Sequence, residues 1–79
     1  MMQQGIALFD TESMAIWAWK LLTDNRHPAK IVPTPEQFSK GDCGIALKFD
    51  WNQRKKLNSL LSSANVEIAA IYFLGITDI

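Results

Sequence analysis

The stretch Gly5-Ile6-Ala7-Leu8-Phe9-Asp10 comes back later in the chain as Gly44-Ile45-Ala46-Leu47-Lys48-Phe49-Asp50. Each copy is a short apolar run, of a length that suits a buried strand better than a helix. Each ends in an aspartate, a residue that starts helices by accepting hydrogen bonds from free backbone N–H groups of the first turn. A helical pattern and then a further apolar run follow each copy. Two β-α-β halves in tandem give the element order β-α-β-β-α-β of the split β-α-β fold. The expected class is α+β: a ferredoxin-like βαββαβ sandwich, a four-stranded antiparallel sheet with two helices on one face. The first and third strands are expected side by side at the centre and parallel to each other, each helix serving as a crossover. The second face of the sheet is then open, a candidate binding or dimer surface.

Local chemistry fills in the frame. Asp10 or Thr11 offers an N-cap, and Glu12 adds negative charge at the positive end of the helix dipole. Ala15, Ala18, Trp19 and Leu22 recur at helical spacing, with Met14 and Leu21 widening that face. The helix should end near Asp24-Asn25, ahead of His27-Pro28, because a residue before proline avoids the α region. Ala29 to Val32 reads as the second strand, stopped by Pro33-Thr34-Pro35, which withdraw ladder donors. Glu36 to Asp42 is a polar connection, and Cys43 to Phe49 the third strand. Asp50 and Gln53 form a capping-box-like pair. Leu57, Leu60, Leu61 and Ala64 mark the inner face of the second helix, and Asn65 suits its C-terminal stop. Val66 to Leu74 is the last strand, closed by Gly75, with Ile76 to Ile79 as a tail or packing extension. The chain reads as a single domain over residues 1–79, with its core spanning about 5–75.

Composition narrows what such a domain does. Eight basic and eight acidic residues cancel. That argues against a general nucleic-acid binder, which depends on phosphate neutralisation, and against electrostatic docking on anionic membranes. Zero net charge also removes a brake on self-association. With three Trp and four Phe in so short a chain, a homo-oligomer is an expectation to test. No apolar run approaches the roughly 18 residues that span a bilayer, and no signal peptide is recognised. The cytoplasm is the expected compartment.

One side chain stands out chemically. Cys43 is the single cysteine. It falls where a polar loop, Ser39-Lys40-Gly41-Asp42, meets a strand, beside a glycine that leaves room for a reagent to approach sulfur. Lys40 would favour thiolate and Asp42 would oppose it. The plainer reading is a small buried apolar residue, a common role for cysteine. Cys43 and His27 do not make a metal site, and no Cys-x-x-Cys pair is present; His27 reads as a turn residue. No nucleophile elbow, phosphate-cradling glycine loop or RNA-recognition aromatic motif occurs. Trp17 and Trp19 lie on different helix faces, about 200° apart. Trp19 fits the inner stripe, and Trp17 is left as a candidate interface residue.

Taken together, Ile31-Val32-Pro33-Thr34-Pro35, Ser39, Cys43-Gly44-Ile45-Ala46-Leu47 and Phe49, behind a strand ending in Phe-Asp and a helix carrying Ala15, resemble the selenium/sulfur-carrier-like family of small domains. The resemblance covers residues 6 to about 74. Its most specific part is Pro-x-Pro, then Ser, then Cys-Gly-x-Ala-Leu. It implies a cysteine that accepts a chalcogen atom as persulfide or perselenide and hands it on. That role falls on Cys43, with Ser39, Asp42 and Gly44 beside it. The chain departs from the family pattern at Glu36, where a basic residue often follows the second proline, and at Trp19, where Glu is frequent. The loop before the cysteine is also about one residue longer. The resemblance implies no cofactor, and a carrier more than a turnover enzyme. A lone thiol has no internal disulfide release, so donor and acceptor are expected to be cysteine-bearing proteins such as a desulfurase or a rhodanese-like protein. The rival reading is a non-catalytic protein-interaction or regulatory module that uses the open sheet face and Trp17.

Overall fold

The computed structural model of the chain describes residues 2–27, 29–38 and 44–77. Its elements follow the expected order: β1 (Met2–Leu8), α1 (Glu12–Asp24), β2 (Ala29–Pro33), β3 (Ile45–Asp50), α2 (Arg54–Ser63) and β4 (Ala70–Thr77). Short 3-10 turns, Glu36–Phe38 and Trp51–Gln53, precede β3 and α2. The four strands form one sheet in the order β2-β3-β1-β4, so β1 and β3 are central as expected. Every neighbouring pair is antiparallel. This bears out the antiparallel sheet and corrects the direction expected for the central pair. The parallel relations are β1 with β2, split by β3, and β3 with β4, split by β1. A helical crossover returns the chain in its starting direction, and here each crossover skips one strand.

The helix ends are set locally. Thr11, rather than Asp10, caps α1: its hydroxyl accepts the Met14 N–H at 3.2 Å. Past the C-terminus of α1, His27 N–H donates to Leu22 O (2.8 Å) and Arg26 N–H to Thr23 O (3.2 Å). This is the paired bonding of a Schellman motif, with Arg26 in the left-handed region at φ 62°. The end of α2 repeats it with Asn65 at φ 59°, Val66 N–H donating to Leu61 O and Asn65 N–H to Ser62 O.

Both helices pack on one face of the sheet. Ala15, Ala18 and Leu22 of α1 and Leu57 and Leu61 of α2 meet Ala7 and Phe9 from the first half and Leu47 and Phe49 from β3. The indole N–H of Trp19 donates to Ala29 O at 3.1 Å, tying α1 to the start of β2. The repeated sequence does not repeat its facing. Ala7 points to the helices, but its counterpart Ala46 sits next to Leu47 and faces away. Lys48 is the extra residue of the second copy, and with a side-chain period of two it returns Phe49 to the face that Phe9 occupies.

Three strands start elsewhere than expected. β1 starts at Met2, earlier than Gly5. β3 starts at Ile45, with Gly44 before it outside the strand; Cys43, the expected start, lies outside the described residues. The last strand starts at Ala70 rather than Val66 and runs to Thr77. Val66 is buried in the core directly after the α2 cap, and an apolar run serves packing there without pairing. Gly75 does not close β4. The register against β1 shifts where Gln4 pairs with Gly75 and Gly5 with Phe73, leaving Leu74 as the extra residue of a bulge. Gly75 holds φ 122°, a conformation that side chains rarely adopt. The strand then continues through Ile76 and Thr77, expected as tail.

The second sheet face is not bare at its centre, contrary to expectation. Ile6 and Ala46 face away from the helices, yet they are 1% and 0% exposed. Phe38, on the connection that leaves β2, stacks on Tyr72 of β4 with ring centroids 4.4 Å apart. β2 and β4 are opposite edges of the sheet, so the chain after Pro33 runs across this face. At Gly44 it is back beside β2, where Gly44 O accepts the Thr34 N–H at 3.0 Å.

Candidate functional site

The connection between β2 and β3 carries the residues singled out by sequence. Ser39, Asp42 and Cys43 lie outside the described residues; Gly44 lies within them. The described flanks define the segment's setting. Pro33 ends β2 at the sheet edge, where a missing donor breaks no ladder. Pro35 O then accepts the Phe38 N–H at 2.9 Å, closing the 3-10 turn that delivers Phe38 to Tyr72. Stacking of two rings at an interplanar angle of 10° fixes that end of the connection on β4. The other end is fixed by the backbone bond between Thr34 and Gly44. Gly44 itself is exposed, and a Cβ built on it meets no atom within 4 Å. Among the described residues, its lack of a side chain is therefore not a packing requirement.

Trp17 is 53% exposed and neighbours Ile16 at 41%. Both project from the outer side of α1, whereas Phe38 lies against the opposite face of the sheet. The structure does not bring Trp17 together with Gly44. Trp19 packs against the core as its spacing predicts, and His27 occupies the helix-ending turn. Sequence reasoning missed Phe38, because its aromatic ring sits in a segment whose composition reads as polar loop; Tyr72, its partner, is distant in sequence. Among the described residues no three His, Cys, Asp or Glu side chains converge in a way that could hold a metal ion. Among them too, no helix is long and apolar enough to cross a membrane.

A family model described as "Putative Se/S carrier protein-like" matches residues 4–73, a span that holds both helices and Cys43. No curated protein and no solved structure matches significantly.

Proposed function

The chain belongs to the Se/S carrier protein-like family, and from that premise we propose that it relays sulfur or selenium between partner proteins on Cys43. The observation that carries this reading is the family match around a chain with a single thiol. If the family's chemistry is cysteine-borne, no other residue of this chain can bear it.

The transfer is a thiol exchange. The Cys43 thiolate attacks the outer sulfur of a donor persulfide. A bond forms between Sγ and that sulfur, the donor's S–S bond breaks, and the donor thiolate leaves. Cys43 then bears a persulfide, or a perselenide where selenium moves. An acceptor nucleophile attacks the outer atom, and the Cys43 thiolate leaves with the bonding pair. No electrons are gained or lost overall, so no cofactor is required. Rates in such exchange follow thiolate population, access and leaving group. Gly44, next to Cys43 in sequence, adds no side chain of its own, which favours access. The donor and acceptor are read as cysteine-bearing sulfur- or selenium-handling proteins, and the compartment as the cytoplasm.

The test is intact-mass spectrometry after incubation with a persulfide-loaded rhodanese-like donor. The native chain should gain the mass of one sulfur atom, removed again by a reducing thiol, and Cys43→Ser should gain none. An unmodified native chain beside a donor that loads a control thiol protein would overturn the relay.

A further inference from the structure

Half of the chain's cations gather at one end of the sheet. A cleft of about 900 Å³ opens where β2 begins and β3 ends, and Arg26, Lys30, Lys48 and Lys56 line it. They are four of the eight Lys and Arg, whereas among the described residues a single carboxylate, Asp50, joins them. Asp50 is already engaged as a cap, its carboxylate accepting the Asn52 N–H at 3.1 Å. Among the described residues, none of the four cations has an ion-pair partner. In a chain of zero net charge this concentration is a local arrangement and not a by-product of basic composition.

One further observation points to a missing anion. Lys30 and Lys48 are register partners on β2 and β3, and like charges directly opposite in an antiparallel pair repel. Gln4 also lines the cleft. It is 9% exposed, and its side-chain Oε1 is buried without a hydrogen-bond partner among the described residues. Buried amide groups are ordinarily satisfied. That oxygen has no accessible surface, so Gln4 is a wall residue of the cleft and not a contact to an anion. Arg26 adds a smaller hint: it holds the left-handed position of the α1 end, where glycine is the residue without strain.

We propose that this cleft binds a compact phosphate-class anion, such as pyrophosphate or a phosphate ester, between the Lys30–Lys48 pair, Arg26 and Lys56. The volume is within the range of small-molecule sites. Lys supplies point charge, and the Arg26 guanidinium supplies a planar fork that matches two phosphate oxygens. A polymer is disfavoured, because outside the cleft four Lys and Arg stand against seven Asp and Glu, which leaves no basic track for successive phosphates. The cleft is at the opposite end of β3 from Gly44, so the proposal stands apart from the thiol relay.

Titration of the isotope-labelled full chain with sodium pyrophosphate, followed by amide chemical shifts, tests it. Saturable shifts are expected at Arg26, Lys30, Lys48 and Asp50 with Kd below about 1 mM at about 0.05 M salt. Lys30→Gln and Lys48→Gln should each weaken binding by about five- to tenfold, while Lys20→Gln, outside the cleft, changes it by less than about twofold. Because each cleft variant also removes the cross-strand repulsion, its melting temperature should stay level or rise, which separates lost binding from lost folding. A parallel arm with adenosine triphosphate distinguishes an ester from the free anion; tighter binding than pyrophosphate with the same shifted amides supports the ester form of the proposal. Shifts that fail to saturate, equal weakening by Lys20→Gln, or stronger binding of a single-stranded oligonucleotide than of either small anion would overturn it.

Discussion

At the scale of the residue, two glycines show opposite constraints. A Cβ added at Gly5 would lie 2.6 Å from Cε3 of Trp51 and 2.9 Å from Cζ of Phe49. These rings belong to an aromatic row: Phe49 stacks near Trp51, and Trp51 meets Phe73 edge-on at 5.2 Å. The Arg54 guanidinium lies over Trp51 at 4.9 Å, and its N–H donates to Trp51 O at 3.1 Å, which leaves that indole little freedom to retreat. Gly5→Ala is therefore expected to destabilise the chain by about 1–3 kcal/mol, as overpacking does, read by urea denaturation. Gly44→Ala meets open space and should change stability by less than about 0.5 kcal/mol. Under the relay reading, the same Gly44 variant slows sulfur loading of Cys43 in a timed mass assay; unchanged loading would remove Gly44 from the site. Sequence alone gives both residues one appearance, a glycine opening an Ile-Ala-Leu run. The difference depends on Trp51, which no local pattern connects to Gly5.

Elements were legible to the degree that their signals are local. Both helices, their inner faces and Asn65 as a stop follow from spacing and from side chains that bond their own backbone. Thr11→Ala removes the hydroxyl that satisfies the Met14 N–H and should cost about 1 kcal/mol, measured as a lower denaturation midpoint at unchanged slope. Thr11→Asp should retain most of the stability, since aspartate caps as well. Strand ends were less legible because pairing partners set them. Val66 to Ala69 has the apolar content of a strand, but it leaves α2 below the sheet and is spent on packing and turning. Only Ala69 reaches the ladder, its N–H donating to Leu8 O at 2.8 Å. Gly75 looks like punctuation in one dimension and is a bulge in three, because β1 shifts register opposite it. The Phe38–Tyr72 stack was illegible for the same reason: its partners are two elements and a sheet width apart.

At the scale of the whole molecule, the helix-side core is small and shared by every layer. Leu22, Leu47 and Leu61 are fully buried, one each from α1, β3 and α2. A domain of this size buries a lower fraction of its surface than larger ones, so each core side chain carries a large share of the total. Leu61→Ala should cost about 2–5 kcal/mol. Against a total of roughly 5–15 kcal/mol for domains in general, that is enough to lower the melting temperature sharply in calorimetry. Leu61→Met, close in volume, should cost less than about 1.5 kcal/mol. Of the exposed large apolar side chains, Ile16 and Trp17 lie on the outer side of α1, Ile31 on the β2 edge, and Phe73 and Leu74 on the β4 edge. Coverage of the sheet face crossed by Phe38 from within the chain weakens the case for an open-sheet interaction module.

By itself the sequence determined the order of elements, the antiparallel split β-α-β class, the inner stripe of each helix, the Asn65 stop and the single thiol. Each of these is written in neighbouring residues, through periodicity, backbone-bonding side chains or the count of a reactive atom. Tertiary structure alone decided the direction of the central strand pair, the reach of β4, the cover over Ile6 and Ala46, and the meeting of Lys30, Lys48, Arg26, Lys56 and Gln4 in one cleft. Those depend on which distant residues become neighbours, and that is set by minimising exposed apolar surface over the entire chain rather than by any short segment of it.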